Sequence, residues 1–293
     1  MTTLVTFCAC NLDSSQRLAH LKALVKSWEA QLAPMCPLYL AISGVEGSEG
    51  VKGAGGFLDE LDQTLGVYVL RCEPCSQFEA YKQLLATYGL SDAWINFVDP
   101  DDELLPARNV IQLDLFAQAD PAKLQEITMA QHQRFVEGST ALEVDPKEIF
   151  PGLFMYSVPA RVLRRFIDIA PEKILQHRFC SVFFVYFAYK LGDQRAALTS
   201  PNPVYKRRPQ PKKKVAHADW WLMPKTVAKK LSRQDLALAN RVELGYFGYL
   251  LLKNQAAYDN VFRTKDELKI FSRWREHYVG LEEFAKTILD SLN

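Results

Sequence analysis

The 293-residue chain reads as an α/β protein, a mixed but mainly parallel sheet flanked by helices, with a helical extension toward the C-terminus. Two observations carry that expectation. Short apolar runs alternate with helix-period segments through the N-terminal half, and such alternation builds a parallel sheet covered on both faces. From about residue 219 the pattern turns predominantly helical. The length allows one large domain or two modest ones with an ample core. We expect a sheet domain over 1–210, then a basic loop and helical extension over 211–293.

In chain order, "TLVTFCAC" from residue 3 is a strand. "SQRLAHLKALVKSWEAQL" places apolar residues at 18, 21, 24, 25, 28 and 32, a helical spacing, with Asn11 and Asp13 as start signals. "PLYLAIS" is the second strand, and the glycine-rich 44–56 stretch reads as a loop. "GVYVLRC" is a third strand, "SQFEAYKQLLATYG" a helix ending at Gly89, and "AWINFV" a fourth strand. Beyond it, "LQEITMAQHQRFV" holds another strand and "LFMYSVPARVLRRFI" a strand followed by a helix. "KILQHRFCSVFFVYFAYKLG" reads as one buried helix ending at Gly192, and "AALTSPNPVYKRR" as a last edge strand. "LALANRVELGYFGYLLLKNQ" and "GLEEFAKTILDSL" are the clearest helices of the C-terminal part.

Against this frame stands "WINFVDPDDELLP", 94–106, where an apolar strand runs into Asp99, Asp101, Asp102 and Glu103. In parallel sheets ligands bind beyond the carboxyl ends of the strands, so these charges lie at the mouth of the expected site. Two readings stay open. Asp and Pro make turns, and an Asp can cap a helix starting near Leu104. Alternatively, adjacent carboxylates that repel one another suit a hard divalent cation with phosphate and water as further ligands.

Composition is ordinary, with 48% hydrophobic residues, 24% charged and a net charge of +1, and gives no global argument for nucleic acid or membrane. "MTTLVTFCAC" lacks the basic start and long apolar core of a signal peptide. The nearest approach to a membrane span, 179–192, is too short and too aromatic, so a cytoplasmic location is expected. Cys72-Glu-Pro-Cys75 has the spacing of a zinc or redox motif, but no second pair follows. Small apolar residues in a reducing cytoplasm are the plainer reading of the six cysteines.

Asp99-Pro100-Asp101-Asp102 after an apolar strand resembles the D-x-D motif, often D-x-D-D, of GT-A fold glycosyltransferases, especially the family-2 type. Asn11 ends the first strand where that family often has Tyr-Asn. "QLLATYGLSDAWINFVDPDDELLP" resembles its helix, strand and D-x-D-D-x-x-x-P run, and "LGDQRAALTSPNPVYKRR" its closing helix end, strand and V-Y-x-x-R. The resemblance spans about residues 3 to 210.

It implies a metal-dependent transferase moving a sugar from a nucleoside-diphosphate sugar to a hydroxyl of a glycan or similar acceptor. Asp99 would contact the ribose or base. Asp101, with Asp99, would hold Mn²⁺ or Mg²⁺ on the diphosphate, and Asp102 would orient the metal shell or the sugar. Asn11, Ser43, Lys82, Lys206 and Arg207 are the further donor-binding expectations, and His217 an additional metal ligand.

Two departures count. Ser43 stands where the second strand usually ends in an acidic residue for the base. No carboxylate occurs from Lys173 to Gly192, where inverting members carry their catalytic base. His177, Glu172 and Asp168 are the substitutes nearest that position. The gap keeps three outcomes open: a substituted base, a retaining mechanism, or a non-catalytic nucleotide-sugar- or glycan-binding relative. Six basic residues between 206 and 214 read first as a solvated loop. They also suit a mobile loop over a diphosphate, or a single-stranded nucleic-acid contact with Trp220 or Trp221 stacking. Carboxylates at the strand mouth weigh against nucleic acid. The apolar helical surface around Tyr246–Leu251 is compatible with core packing, dimerisation or peripheral membrane contact.

Overall fold

β1 (Thr3–Asn11), β2 (Leu38–Ser43), β3 (Val67–Cys72) and β4 (Ala93–Phe97) fall on the four apolar runs. The computed structural model describes residues 3–32, 35–44, 48–144, 152–177, 179–192, 198–207, 233–253 and 265–292. The four strands lie side by side in the order β3-β2-β1-β4, all parallel. Beyond β4 come β9 (Tyr156–Pro159), β6 (Ala130–His132) and β10 (Leu198–Ser200). β9 alone runs antiparallel to its two neighbours, so the seven-stranded sheet is mixed and mainly parallel. Every residue of β2 and β4 is buried, as expected for strands covered on both faces.

The helices expected in this layer follow their patterns. α1 (Ser15–Glu29) buries Leu18, Leu21, Leu24, Val25 and Trp28 on one stripe. Its N-cap is Ser14, whose hydroxyl accepts from the Arg17 amide, rather than Asn11 or Asp13. The glycine-rich segment is not all loop. Ser48 caps a short helix, α2 (Glu49–Lys52), and α3 (Gly55–Gln63) packs on β3. The propensity of isolated glycines gives way there to capping and to the burial of Leu58 and Leu61. α4 (Gln77–Tyr88) opens on a capping box between Ser76 and Glu79 and closes at Gly89, whose φ of +61° is left-handed.

Leu104 does not begin a helix. Glu103–Leu104 forms β5, the edge of a second sheet ordered β5-β11-β7-β8, with β7 (Arg134–Glu137), β8 (Thr140–Glu143) and β11 (Tyr205–Arg207). The helix starts later, as α5 (Arg108–Ala117), followed by the single turn α6 (Pro121–Leu124). The expected last edge strand is likewise two strands in two sheets, β10 and β11, with Asn202 and Pro203 in the break.

Two compact units share the chain. Met1–Arg165 with Ala196–Gln210 form the first, and Phe166–Arg195 with Pro211–Asn293 the second. α7 (Ala160–Ile169) carries the chain from one to the other. Within the second unit the expected single helix over 173–191 is broken into α8 (Glu172–Leu175) and α9 (Cys180–Leu191). α10 (Arg233–Leu252), α11 (Lys265–Trp274) and α12 (Val279–Leu292) complete it. Phe247 of α10 stacks on Phe284 of α12 at 5.5 Å and meets Phe183 of α9 at 4.7 Å. No described helix is long and apolar enough to cross a membrane.

Candidate functional site

The parallel register brings Asn11, Ser43 and Cys72 into one row, Asn11 opposite Ser43 and Ser43 opposite Cys72, at the carboxyl ends of β1, β2 and β3. The chain leaving β1 is pinned there. The Leu12 amide donates to the Ser43 carbonyl at 2.6 Å, and the Ser48 hydroxyl donates to the Leu12 carbonyl at 2.8 Å. Gly50 sits so close that an added Cβ would lie 2.7 Å from the Leu12 carbonyl oxygen and 2.8 Å from that of Ser14. Asn11 is exposed on this edge, and Ser43 is buried.

β4 ends beside them. The Val98 amide still pairs with the Phe7 carbonyl at 3.0 Å; then the Asp102 amide donates to the Asp99 carbonyl at 3.1 Å, closing a turn over Asp99–Asp102. Tyr205, wholly buried, fixes that turn from beneath. Its hydroxyl donates to the Asp102 carboxylate and accepts the Asp99 amide at 3.3 Å, while its ring stacks on Phe154 at 4.2 Å. Pairing of Tyr205 with Leu104 and Lys206 with Glu103 sets the height of the hydroxyl. Gln77, the first residue of α4, donates to the Asp99 carboxylate at 3.4 Å and to the Tyr81 hydroxyl at 3.0 Å. Asp102 is thereby committed inward at 2% exposure, whereas Asp99 and Asp101 are half-buried at the edge.

Behind the turn the core is polar and closed. Asn96 donates to Gln112 at 2.5 Å and accepts from Ser157 at 2.6 Å; Gln112 reaches Ser157 at 3.1 Å and His132 Nε2 at 2.9 Å. Burial, then the Arg108 charge, pushes the His132 imidazole down to about 3, so it is neutral and Gln112 donates to it. Arg108 is fully buried, and burial lowers its guanidinium to about 10; one nitrogen donates to the Phe97 carbonyl at 3.1 Å. A positive charge therefore stands behind the carboxyl end of β4. The negative field of the turn is felt below it. After burial, Asp99 and Asp102 raise the Tyr205 phenol, Asp99 the Tyr81 phenol, and Cys10 followed by all three aspartates the Cys8 thiol, each well above its usual range.

The remaining expected site residues divide. Lys206 lies 3.2 Å from Glu103 and Arg207 3.8 Å from Glu137, so both already have carboxylate partners in the second sheet. Lys82 is exposed on α4. Asp168 and Glu172 are exposed residues of the helical unit, where Gln176 donates to Glu172 at 2.9 Å. His177 is buried in that unit. Its Nδ1 accepts the Phe179 amide at 3.1 Å and its Nε2 stands 3.5 Å from Glu243, with side-chain exposures of 2% and 1%. His217, Arg208–Lys214, Trp220 and Trp221 lie outside the described residues. Among the described residues no three His, Cys, Asp or Glu side chains form a group that could hold a metal.

Sequence reasoning gives no role to Tyr205, Gln77 or Arg108. Tyr205 stands in the "VYKRR" stretch, but its partner Asp102 is 103 residues away in sequence, and nothing local announces the pair.

No family model matches the sequence, and no curated protein matches it. Solved structures do. The 1-349 fragment of S. aureus TarS in complex with UDP-GlcNAc superposes with a TM-score of 0.54 at 13% identity, over 99% of this chain and 91% of that one. The same fragment with UDP gives 0.55 at 9% identity, over 99% and 92%. A longer TarS structure gives 0.52 at 11% identity, over 96% of this chain and 55% of that one. The chain has the GT-A glycosyltransferase fold, as the D-x-D resemblance implies.

Proposed function

We propose that the chain is a glycosyltransferase that takes a nucleoside-diphosphate sugar as donor and transfers its sugar to a hydroxyl of a glycan or similar acceptor. The observation that carries this is the Asp99–Asp102 turn: two half-buried carboxylates on the ligand-binding edge of a GT-A sheet, braced by a third that turns inward to Tyr205. The TarS fragment of the same fold has UDP-GlcNAc bound, which supports a uridine nucleotide as the first donor to try.

Asp99 and Asp101 fit a divalent cation chemically. Mn²⁺ and Mg²⁺ take hard oxygen donors, and one or two carboxylates suffice when phosphate and water fill the other positions. A three-residue protein cage is not required for such a site. When bound, the ion would supply Lewis-acid neutralisation of charge on the departing diphosphate. The chain's own residues set that chemistry up. Asp101 would take the cation, while Asp99, oriented by Gln77, would face the ribose or base. Asn11 and Ser43, at the ends of β1 and β2, would line the nucleoside side. Tyr205 and Asp102 hold the turn rigid, so that binding does not have to order it. Lys206 and Arg207 would reach a diphosphate only by leaving Glu103 and Glu137, so the proposal rests on the aspartates instead.

His177, closed off with Glu243, is assigned to packing of the helical unit, because a general base must reach the proton that it removes. The test is nucleoside-diphosphate release from UDP-, GDP- and dTDP-sugars with Mn²⁺ or Mg²⁺. One donor should be turned over, and Asp101→Asn should lower that rate at least about tenfold, the loss of one well-placed interaction. A donor that binds without release, with or without glycan acceptors, would contradict catalysis and leave a binding protein.

A further inference from the structure

We propose that Cys72 and Cys75 are a modification site, a dithiol that closes to a reversible disulfide on the rim of the donor crevice, with a low-molecular-weight disulfide as oxidant. The two sulfurs lie 3.9 Å apart, and both residues are half-buried, while Cys8, Cys10, Cys36 and Cys180 are buried. Their separation follows from the fold. Cys72 is the last residue of β3 and Cys75 immediately precedes Ser76, the N-cap of α4, so the strand-to-helix turn folds one thiol back onto the other. Along the row of strand ends the neighbours of Cys72 are Ser43 and Asn11 of the site edge.

The chemistry balances without a further reagent. The Cys75 thiolate attacks the oxidant, forming a mixed disulfide and releasing one thiol. Cys72 then attacks the Cys75 sulfur, forming the internal bond and releasing the second thiol. Two protein thiols are oxidised and one external disulfide is reduced. Burial raises both thiols, Cys72 up to about 12, helped by Cys75 and Glu73; on Cys75 the hydrogen bond with Cys72 works against burial, and Glu79 adds to it. Both are therefore protonated at neutral pH, and closure accelerates as pH rises.

Closure has a path to the donor site, and this consequence rests on the donor reading. Cys75 is two residues before Gln77, whose bond to Asp99 at 3.4 Å is at the outer limit of a hydrogen bond. Drawing Cys75 toward β3 breaks it, and nucleotide affinity falls by up to about tenfold, the worth of one ordinary hydrogen bond.

The experiment treats the folded full chain with oxidised glutathione at mildly alkaline pH, alkylates free thiols and weighs the peptide that contains both cysteines. The expected result is that peptide unalkylated and lighter by two hydrogens, reopened by dithiothreitol, and absent in Cys75→Ser. Both cysteines fully alkylated in the folded chain, under conditions that cross-link them in the urea-unfolded chain, would overturn the proposal. UDP-GlcNAc affinity is then compared between the closed and reopened protein. Closure in a chain that binds no nucleotide would support the disulfide and contradict only the donor reading.

Discussion

Tyr205 joins two functions through one oxygen atom, since the hydroxyl that donates to Asp102 also accepts the Asp99 amide. Tyr205→Phe keeps the ring stacked on Phe154 but leaves a buried carboxylate and a backbone amide without that partner. We expect a loss of about 1–3 kcal/mol in urea unfolding, and weaker nucleotide binding because the turn is no longer braced. His132 gives a second prediction, with a definite sign. Its folded value of about 3 lies below the unfolded value of about 6.5, so its contribution is complete above pH 6.5. As pH falls from there toward 3 the unfolded chain binds the extra proton, and stability drops by about 1.4 kcal/mol per pH unit from this group. The unfolding midpoint of His132→Asn should be less sensitive between pH 7 and pH 5 than that of the wild type. Asp99 and Asp101 are legible from their place after an apolar strand. The residues that hold them are not, because Tyr205, Gln77 and Arg108 act through contacts that no local pattern records.

Elements were legible in proportion to how much of their stability is local. β1 to β4 announce themselves as apolar runs between turn signals, and α4 by its closing glycine. β5 has two residues and exists because β11, about a hundred residues later, supplies its partner, so the same residues read equally well as a helix start. The glycine-rich stretch misleads in the opposite way. Gly50 is there for close approach and not for looseness, since its Cα stands against the carbonyls that leave β1. Gly50→Ala should therefore push α2 off the Leu12 turn, costing about 1–3 kcal/mol by the usual scale of overpacking. It should also weaken nucleotide binding, whereas Gly55→Ala, with nothing near an added Cβ, should do neither. Thermal unfolding and nucleotide affinity of the two variants distinguish these outcomes.

At the scale of the molecule the sequence conveys a sheet portion and a helical portion but not their interleaving. Phe166–Arg195 belong to the helical unit although they lie between β9 and β10 of the sheet. An apolar helix such as α9 looks alike in either setting, and Phe247, the ring that meets its Phe183, is far along the chain. In the first unit, the carboxylate turn is proposed to bind a nucleoside-diphosphate sugar with a divalent cation. Thermal unfolding of the wild type and Asp101→Ala with UDP-GlcNAc, GDP- and dTDP-sugars, with and without Mn²⁺, tests this binding most directly. A ligand at a hundred times its dissociation constant stabilises the folded state by about 2.7 kcal/mol, a shift of several degrees. Such a shift is expected for one nucleotide, dependent on Mn²⁺ and lost in Asp101→Ala. No shift with any donor, or an equal shift in Asp101→Ala, would contradict it.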